Sequence, residues 1–140
     1  MQRILLLILL FFSVFAFSQN WKDQKAEKLF LENNFIEAKK YLESKLNTET
    51  SLSIEEKVYL QSKLSHSYLR TGDFDTALQY AKKSNANSKL SSHKLIHCES
   101  WKALTFAYLR LSKLDSAMIY SKKMYHHGKE TNNYDFTRAA

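Results

Sequence analysis

The sequence contains no proline, only two glycines (Gly72 and Gly128) and a single cysteine among its 140 residues. Sheet proteins need turn residues at every reversal. This scarcity excludes a many-stranded architecture and fits long helices joined by short loops. One cysteine, Cys98, leaves no intramolecular disulfide framework, and it reads as a small buried apolar side chain. There is also no long block of one charge. Charged residues are 25% of the chain and are interspersed with a 44% hydrophobic fraction, enough for a packed core and a composition that argues against disorder. The length allows at most one modest domain.

Catalytic signatures are missing as well. There is no nucleophile elbow, no glycine-rich phosphate loop and no paired zinc motif, and the acidic residues are spread without convergence. The chain is therefore read as a non-enzyme with no cofactor. His93 and His97 are four apart, but a metal site needs three or four ligands, and Cys98 and Glu99 fall elsewhere on the helix. They are read as polar surface. His126 and His127 sit near a helix end, where partly positive imidazoles suit the dipole. Lys82-Lys83 and Lys122-Lys123 read as solubilising charge on an outer face.

The first 18 residues differ from the rest. Arg3 precedes an apolar run from Ile4 to Phe17, interrupted only by Ser13. Fourteen residues fall short of the about 20 that a bilayer core requires. Ala16 and Ser18 put small residues at the −3 and −1 positions of a cleavage site. Together these features describe a signal peptide at 1–18, cleaved after Ser18, and an exported protein, periplasmic or secreted. The remaining 19–140 carries 20 basic and 14 acidic residues, net +6. Outside the cytoplasm such a protein meets acidic proteins, peptides or surfaces rather than nucleic acid. A membrane enters only if the N-terminal segment is retained or the chain is longer.

What the sequence does have is an internal repeat. Tyr68–Ser84 reads YLRTGDFDTALQYAKKS and Tyr108–Met124 reads YLRLSKLDSAMIYSKKM: eight of seventeen positions are identical at a shift of 40. A third copy lies upstream, where Phe35, Ala38 and Tyr41 match Phe74, Ala77 and Tyr80 at a shift of 39. Leu60, Leu64 and Tyr68, and likewise Leu104, Tyr108 and Leu111, recur at the spacing of one helix face. Gly72 permits a helix to end, and a second helix resumes at Phe74. Ala77 and Ala117 are small where two helices approach closely. Ser53 with Glu56 forms a capping-box sequence. The pattern predicts helices near 21–33, 36–46, 53–71, 74–90, 93–111 and 114–129. The expected fold is all-α, an α-solenoid of antiparallel helix pairs with about three repeats near 20–48, 53–90 and 93–129, each covering the apolar flank of its neighbour. These form one domain, 19–140.

At Trp101, Leu104, Tyr108, Ser112, Leu114, Ala117, Ser121 and Met124, and at Leu64, Tyr68, Gly72, Phe74, Ala77, Ala81 and Ser84, the chain resembles the tetratricopeptide repeat family. The resemblance covers nearly all of 20–129. Its copies are longer than that family's usual repeat of about 34 residues. They are similar to copies found in exported bacterial proteins and in the sensor halves of signalling regulators. Leu29 stands where the family has an aromatic, Asn33 where it has glycine or serine, and Gln61 where it has tryptophan.

Periodicity picks out a second face on the first helices. Tyr59, Ser62, His66 and Arg70 in one copy, and Glu99, Lys102, Phe106 and Arg110 in the next, share steps of three and four. The resemblance implies that this face is concave and binds an extended peptide or partner helix. Arg70 and Arg110 occupy matching places, with His66 and Lys102 nearby. Such a basic stripe suits a carboxylate. The competing reading is an ordinary solvated face. The asparagines of the family's carboxylate clamp are missing here.

The tail TNNYDFTRAA reads as the opening of a fourth first helix at 133–140, with Phe136 matching Ile96. Either it docks as a short cap or the sequence is a piece of a longer protein, the reading preferred here. The function expected is an exported, non-catalytic, protein- or peptide-binding scaffold. The alternative is the truncated sensor half of a longer membrane-bound signalling or transcription regulator, and a third reading is a spacer without a specific ligand.

Overall fold

The computed structural model describes residues 21–140, so the 1–18 segment read as a signal peptide lies outside the described residues. The fold is all-α. Among the described residues there are seven helices and no strand: α1 Gln24–Leu31, α2 Phe35–Thr48, α3 Ile54–Thr71, α4 Phe74–Ser88, α5 Lys94–Arg110, α6 Leu114–Glu130 and α7 Tyr134–Ala139. None of these is long and apolar enough to cross a membrane. The expected helices all appear. The first is shorter than its pattern because Asp23 caps it, its carboxylate accepting the Ala26 N–H at 2.8 Å. Ser53 and Glu56 make the anticipated capping box: Ser53 Oγ accepts from the Glu56 N–H at 3.1 Å, and the Glu56 carboxylate accepts from the Ser53 N–H at 2.8 Å.

The turns inside the three pairs use one device. Asn33, Gly72 and Ser112 all adopt left-handed backbone, with φ of 54°, 89° and 56°. The next residue's N–H then reaches back to a helix carbonyl: Asn34 to Leu29 at 2.9 Å, Asp73 to Tyr68 at 3.0 Å, Lys113 to Tyr108 at 2.9 Å. This is the Schellman closure, which satisfies carbonyls that a helix end leaves open. Only one copy fills the position with glycine.

Cross-helix bonds give the direction of the pairing. Ser65 Oγ donates to the Ala77 carbonyl at 2.8 Å, Ser62 and Ser84 share a 2.7 Å bond, and Asn87 Nδ2 donates to Gln61 Oε1 at 2.9 Å. Positions fall along α3 as they rise along α4, so the two are antiparallel. The alanines at the crossings, Ala38, Ala77 and Ala117, are buried at 0%, 0% and 2% exposure. Their lack of bulk lets the backbones close. Equivalent tyrosines then stack, Tyr68 on Tyr80 and Tyr108 on Tyr120, with centroids 5.6 and 5.9 Å apart and planes within 13°. Such a pair is worth about 0.5–1.5 kcal/mol beyond its buried area. Lys83 and Lys123 lie over the outer tyrosines at 4.9 and 5.3 Å, so one lysine of each double pair has a repeated contact.

The first pair departs where its sequence does. Leu29 replaces the inner tyrosine, so Tyr41 has no ring to stack on. Its hydroxyl instead donates to the Asp23 carboxylate at 2.8 Å, and Lys45 Nζ reaches the same group at 2.7 Å. Burial alone would raise the Asp23 pKa, but bonds from Lys45, the Ala26 N–H and Tyr41 outweigh it and hold the carboxyl below its usual range.

Sequential helices pack on one another throughout, and α3 also packs on α5. Apolar clusters fill the junctions: Leu42, Leu60 and Leu64 with Trp21, then Ala77, Ala81 and Leu104, then Cys98, Met124 and Phe136. Cys98 is fully buried, and burial pushes its thiol up to about 12, which keeps it protonated and unreactive. Gly128 is buried inside α6, where Phe136 and Thr137 of α7 come within 3.1–3.2 Å of the place a Cβ would occupy.

The left-handed turns give a prediction. A Cβ at Gly72 meets nothing within 4 Å, so the cost of Gly72→Ala is purely conformational. It should lower unfolding free energy by about 1 kcal/mol. Ser112→Gly, relieving the same conformation one copy later, should move it the other way by a similar or smaller amount. Urea denaturation of both variants measures this.

Candidate binding groove

The first helix of each pair contributes to one trough. Its inner part is a cavity of about 230 Å³ lined by Phe30 of α1, by Ser62, Lys63, His66 and Leu69 of α3, by Glu99, Lys102, Ala103 and Phe106 of α5, and by Ala139 of α7. A second cavity of about 320 Å³ continues from it, sharing His66, Leu69 and Phe106 and adding Arg70, Leu109 and Arg110. Seven of the eight residues singled out by periodicity therefore line one continuous surface. Ser62, His66, Glu99, Lys102 and Phe106 form the inner part, and Arg70 and Arg110 stand at the outer part.

Tyr59 is the exception. It is 1% exposed and belongs to the core, edge-on to Trp21 at 5.5 Å, with its hydroxyl donating to the Glu27 carboxylate at 2.5 Å. Three turns of helix separate Tyr59 from Arg70, and at the Tyr59 end Trp21 and α1 lie over that face. The periodic stripe is thus open at one end and roofed at the other. Ser62 and Glu99 are also nearly buried, at 5% and 7% exposure. They form the floor rather than an exposed wall.

Six lining residues escaped the periodic reading: Phe30, Lys63, Leu69, Ala103, Leu109 and Ala139. A signal for four of them existed. Lys63 and Ala103 are one shift of 40 apart and directly follow Ser62 and Lys102, while Phe30 and Leu69 are one shift of 39 apart. The trough is two side chains wide, and a single stripe found only one of them.

His66 stands among three phenylalanines. Its ring lies 5.4 Å from Phe30, 6.1 Å from Phe35 in a stacked arrangement, and 6.2 Å from Phe106. Burial disfavours its charged form, and Lys63, Lys102 and Arg70 repel a further cation, so its pKa falls to about 4. His66 is neutral at physiological pH and does not add to the basic stripe.

The lysines are compensated. Lys63 Nζ lies 2.8 Å from the Glu27 carboxylate and 4.5 Å from the Phe30 ring, and Lys102 Nζ lies 3.2 Å from the Glu99 carboxylate. Burial would raise the Glu27 pKa, but bonds from Lys63 and Tyr59 hold it down and keep it ionised. The arginines differ. Arg70 and Arg110 are exposed. The Arg70 guanidinium rests 4.8 Å from the Phe35 ring. Among the described residues neither arginine forms an ion pair. The expected basic stripe therefore resolves into a neutral, aromatic floor and a cationic mouth.

Elsewhere, His97 Nε2 lies 3.1 Å from the Ser91 carbonyl, and His93 is the N-cap residue of α5. No group of three or more His, Cys, Asp or Glu side chains is disposed to hold a metal among the described residues. No protein-family model matches this chain, and no curated protein or solved structure is significantly similar to it.

The state of His66 makes stability depend on pH. Between about pH 6.5 and 4 the unfolded chain binds a proton at this histidine and the folded chain does not, so stability falls as acid is added. The loss should be on the order of 2–3 kcal/mol across that window, given about 1.4 kcal/mol per pKa unit. Denaturation midpoints of the wild type and His66→Phe, compared from pH 7 to 4.5, measure it: the slope should flatten in the variant.

Proposed function

We propose that this chain is a long-period tetratricopeptide-type array that serves, without catalysis, as an exported scaffold holding a segment of another protein in the trough lined by α1, α3, α5 and α7. The repeat supports the fold reading through its equivalent turns, alanine crossings and tyrosine stacks. The 1–18 sequence supports export.

One observation carries the binding reading. Arg70 and Arg110, counterparts in consecutive copies, are the uncompensated cations of a trough whose floor is aromatic and neutral. A guanidinium that no carboxylate engages is free to make a forked, charge-assisted bond to one. The inner cavity, walled by Phe30, Leu69, Ala103 and Phe106, takes an apolar side chain. The fitting ligand is an extended acidic segment. It lodges one leucine or phenylalanine beside His66 and lays carboxylates across the arginines. Nucleic acid fits poorly, because the floor cations are already paired and only two arginines remain for phosphates.

Fluorescent decapeptides carrying one leucine or phenylalanine followed by aspartates or glutamates test this. They should bind with an affinity that weakens as salt rises. Arg70→Glu with Arg110→Glu should weaken binding by more than about 10-fold, or 1.4 kcal/mol, while helicity is unchanged. Binding that survives this double reversal, or that is lost equally when Lys82 and Lys83 are reversed instead, contradicts the assignment.

A further inference from the structure

Two carboxylates at the start of the array are held in the same way. Asp23 sits between the Tyr41 hydroxyl and Lys45 Nζ, at 2.8 and 2.7 Å. Glu27 sits between the Tyr59 hydroxyl and Lys63 Nζ, at 2.5 and 2.8 Å. In each case the tyrosine and the lysine are four apart on one helix, so successive turns present two donors to one anion. The fold uses this carboxylate cradle twice.

The two occupants are not equally fixed. The Asp23 side chain is 9% exposed, and its other oxygen accepts the Ala26 N–H as the cap of α1. It cannot leave without opening that helix. The Glu27 side chain is 40% exposed, and the Lys63 side chain beneath it only 19%. Among the described residues the Glu27 carboxylate bonds to Tyr59 and Lys63 alone. The other floor pair is built the opposite way, with Glu99 at 9% and Lys102 at 31%. Lys63 is thus a fixed cation whose counter-ion is the mobile partner. Glu27 also has a place to go. Lys22 is exposed and forms no ion pair among the described residues. With Glu27 and Lys63 it lines a cavity of about 170 Å³ that shares Lys63, Glu99 and Lys102 with the inner trough.

We propose that Lys63 is a second carboxylate subsite of the trough, which Glu27 fills as a built-in competitor until a ligand carboxylate displaces it towards Lys22. This rests on the reading of the trough as a peptide site, and it narrows the ligand. Lys63, His66 and Arg70 follow one another at steps of three and four along α3, about 5 Å apart along its axis. A segment lying along α3 meets a cation, an apolar pocket and a second cation, in that order. In an extended chain, side chains two residues apart point the same way and lie about 7 Å apart. The ligand is therefore acidic on both sides of its leucine or phenylalanine, with the inner acid two residues from it.

Two fluorescent peptides test this on the full chain. Both carry acidic residues after the leucine, and they differ only two residues before it, glutamate in one and glutamine in the other. Glu27→Gln leaves Tyr59 an amide oxygen to bond. It should tighten the glutamate peptide by about 5-fold and leave the glutamine peptide within about twofold. Adding Lys63→Gln, so that no unpaired charge is left behind, should abolish the preference between them. Glu32→Gln removes the same charge elsewhere on the first pair and should not separate the two peptides. If Glu27→Gln moves both peptides equally, or neither, while Arg70→Glu with Arg110→Glu still abolishes binding, Lys63 is no subsite and only this inference falls. If neither peptide binds any form of the protein, the trough reading falls and takes the inference with it.

Discussion

The structure depends on a close crossing made at an alanine. Ala38, Ala77 and Ala117 sit where the two helices of each pair touch. A larger side chain at such a buried place would push the two helices apart. Because the gap is narrow, Ser65 can bond across it to the Ala77 carbonyl, and the tyrosines on either side stack face to face. The Schellman turns with left-handed Asn33, Gly72 and Ser112 return the chain at the angle the crossing requires. Successive pairs pack on one another, α2 on α3, and α3 and α4 on α5.

This stacking brings first helices alongside one another and so builds the trough. Residues one repeat apart become neighbours across it: His66 beside Phe106, Arg70 beside Arg110. Its electrostatics follow from position. Where α1 and α7 crowd the floor, Lys63 and Lys102 are partly withdrawn from solvent and each is paired with a carboxylate, from Glu27 and Glu99. Where the helices end, solvent screens the arginines and they stand free.

Much of this was legible in the sequence because the copies are written out side by side. The pair boundaries, the alanine crossings and seven of the trough residues follow from period and shift. What was hidden involves contacts between copies. Nothing local to α3 says that α1 will roof Tyr59, or that Phe30 and Phe35 will enclose His66 and keep it neutral. The compensation of Lys102 by Glu99 was closer to hand, since the two are three apart on one helix. Asn33 differs from Gly72 and Ser112 in type but not in role, because asparagine tolerates the left-handed conformation that the closure demands.

The most direct test of the account is to overfill the crossings. Ala38→Leu, Ala77→Leu and Ala117→Leu, measured singly by equilibrium denaturation, should each cost about 2 kcal/mol or more, because all three occupy the same gap. If any one of them is accommodated within about 0.5 kcal/mol, the level of an ordinary surface substitution, the copies do not share one crossing and the description of the chain as a repeated helix pair is wrong.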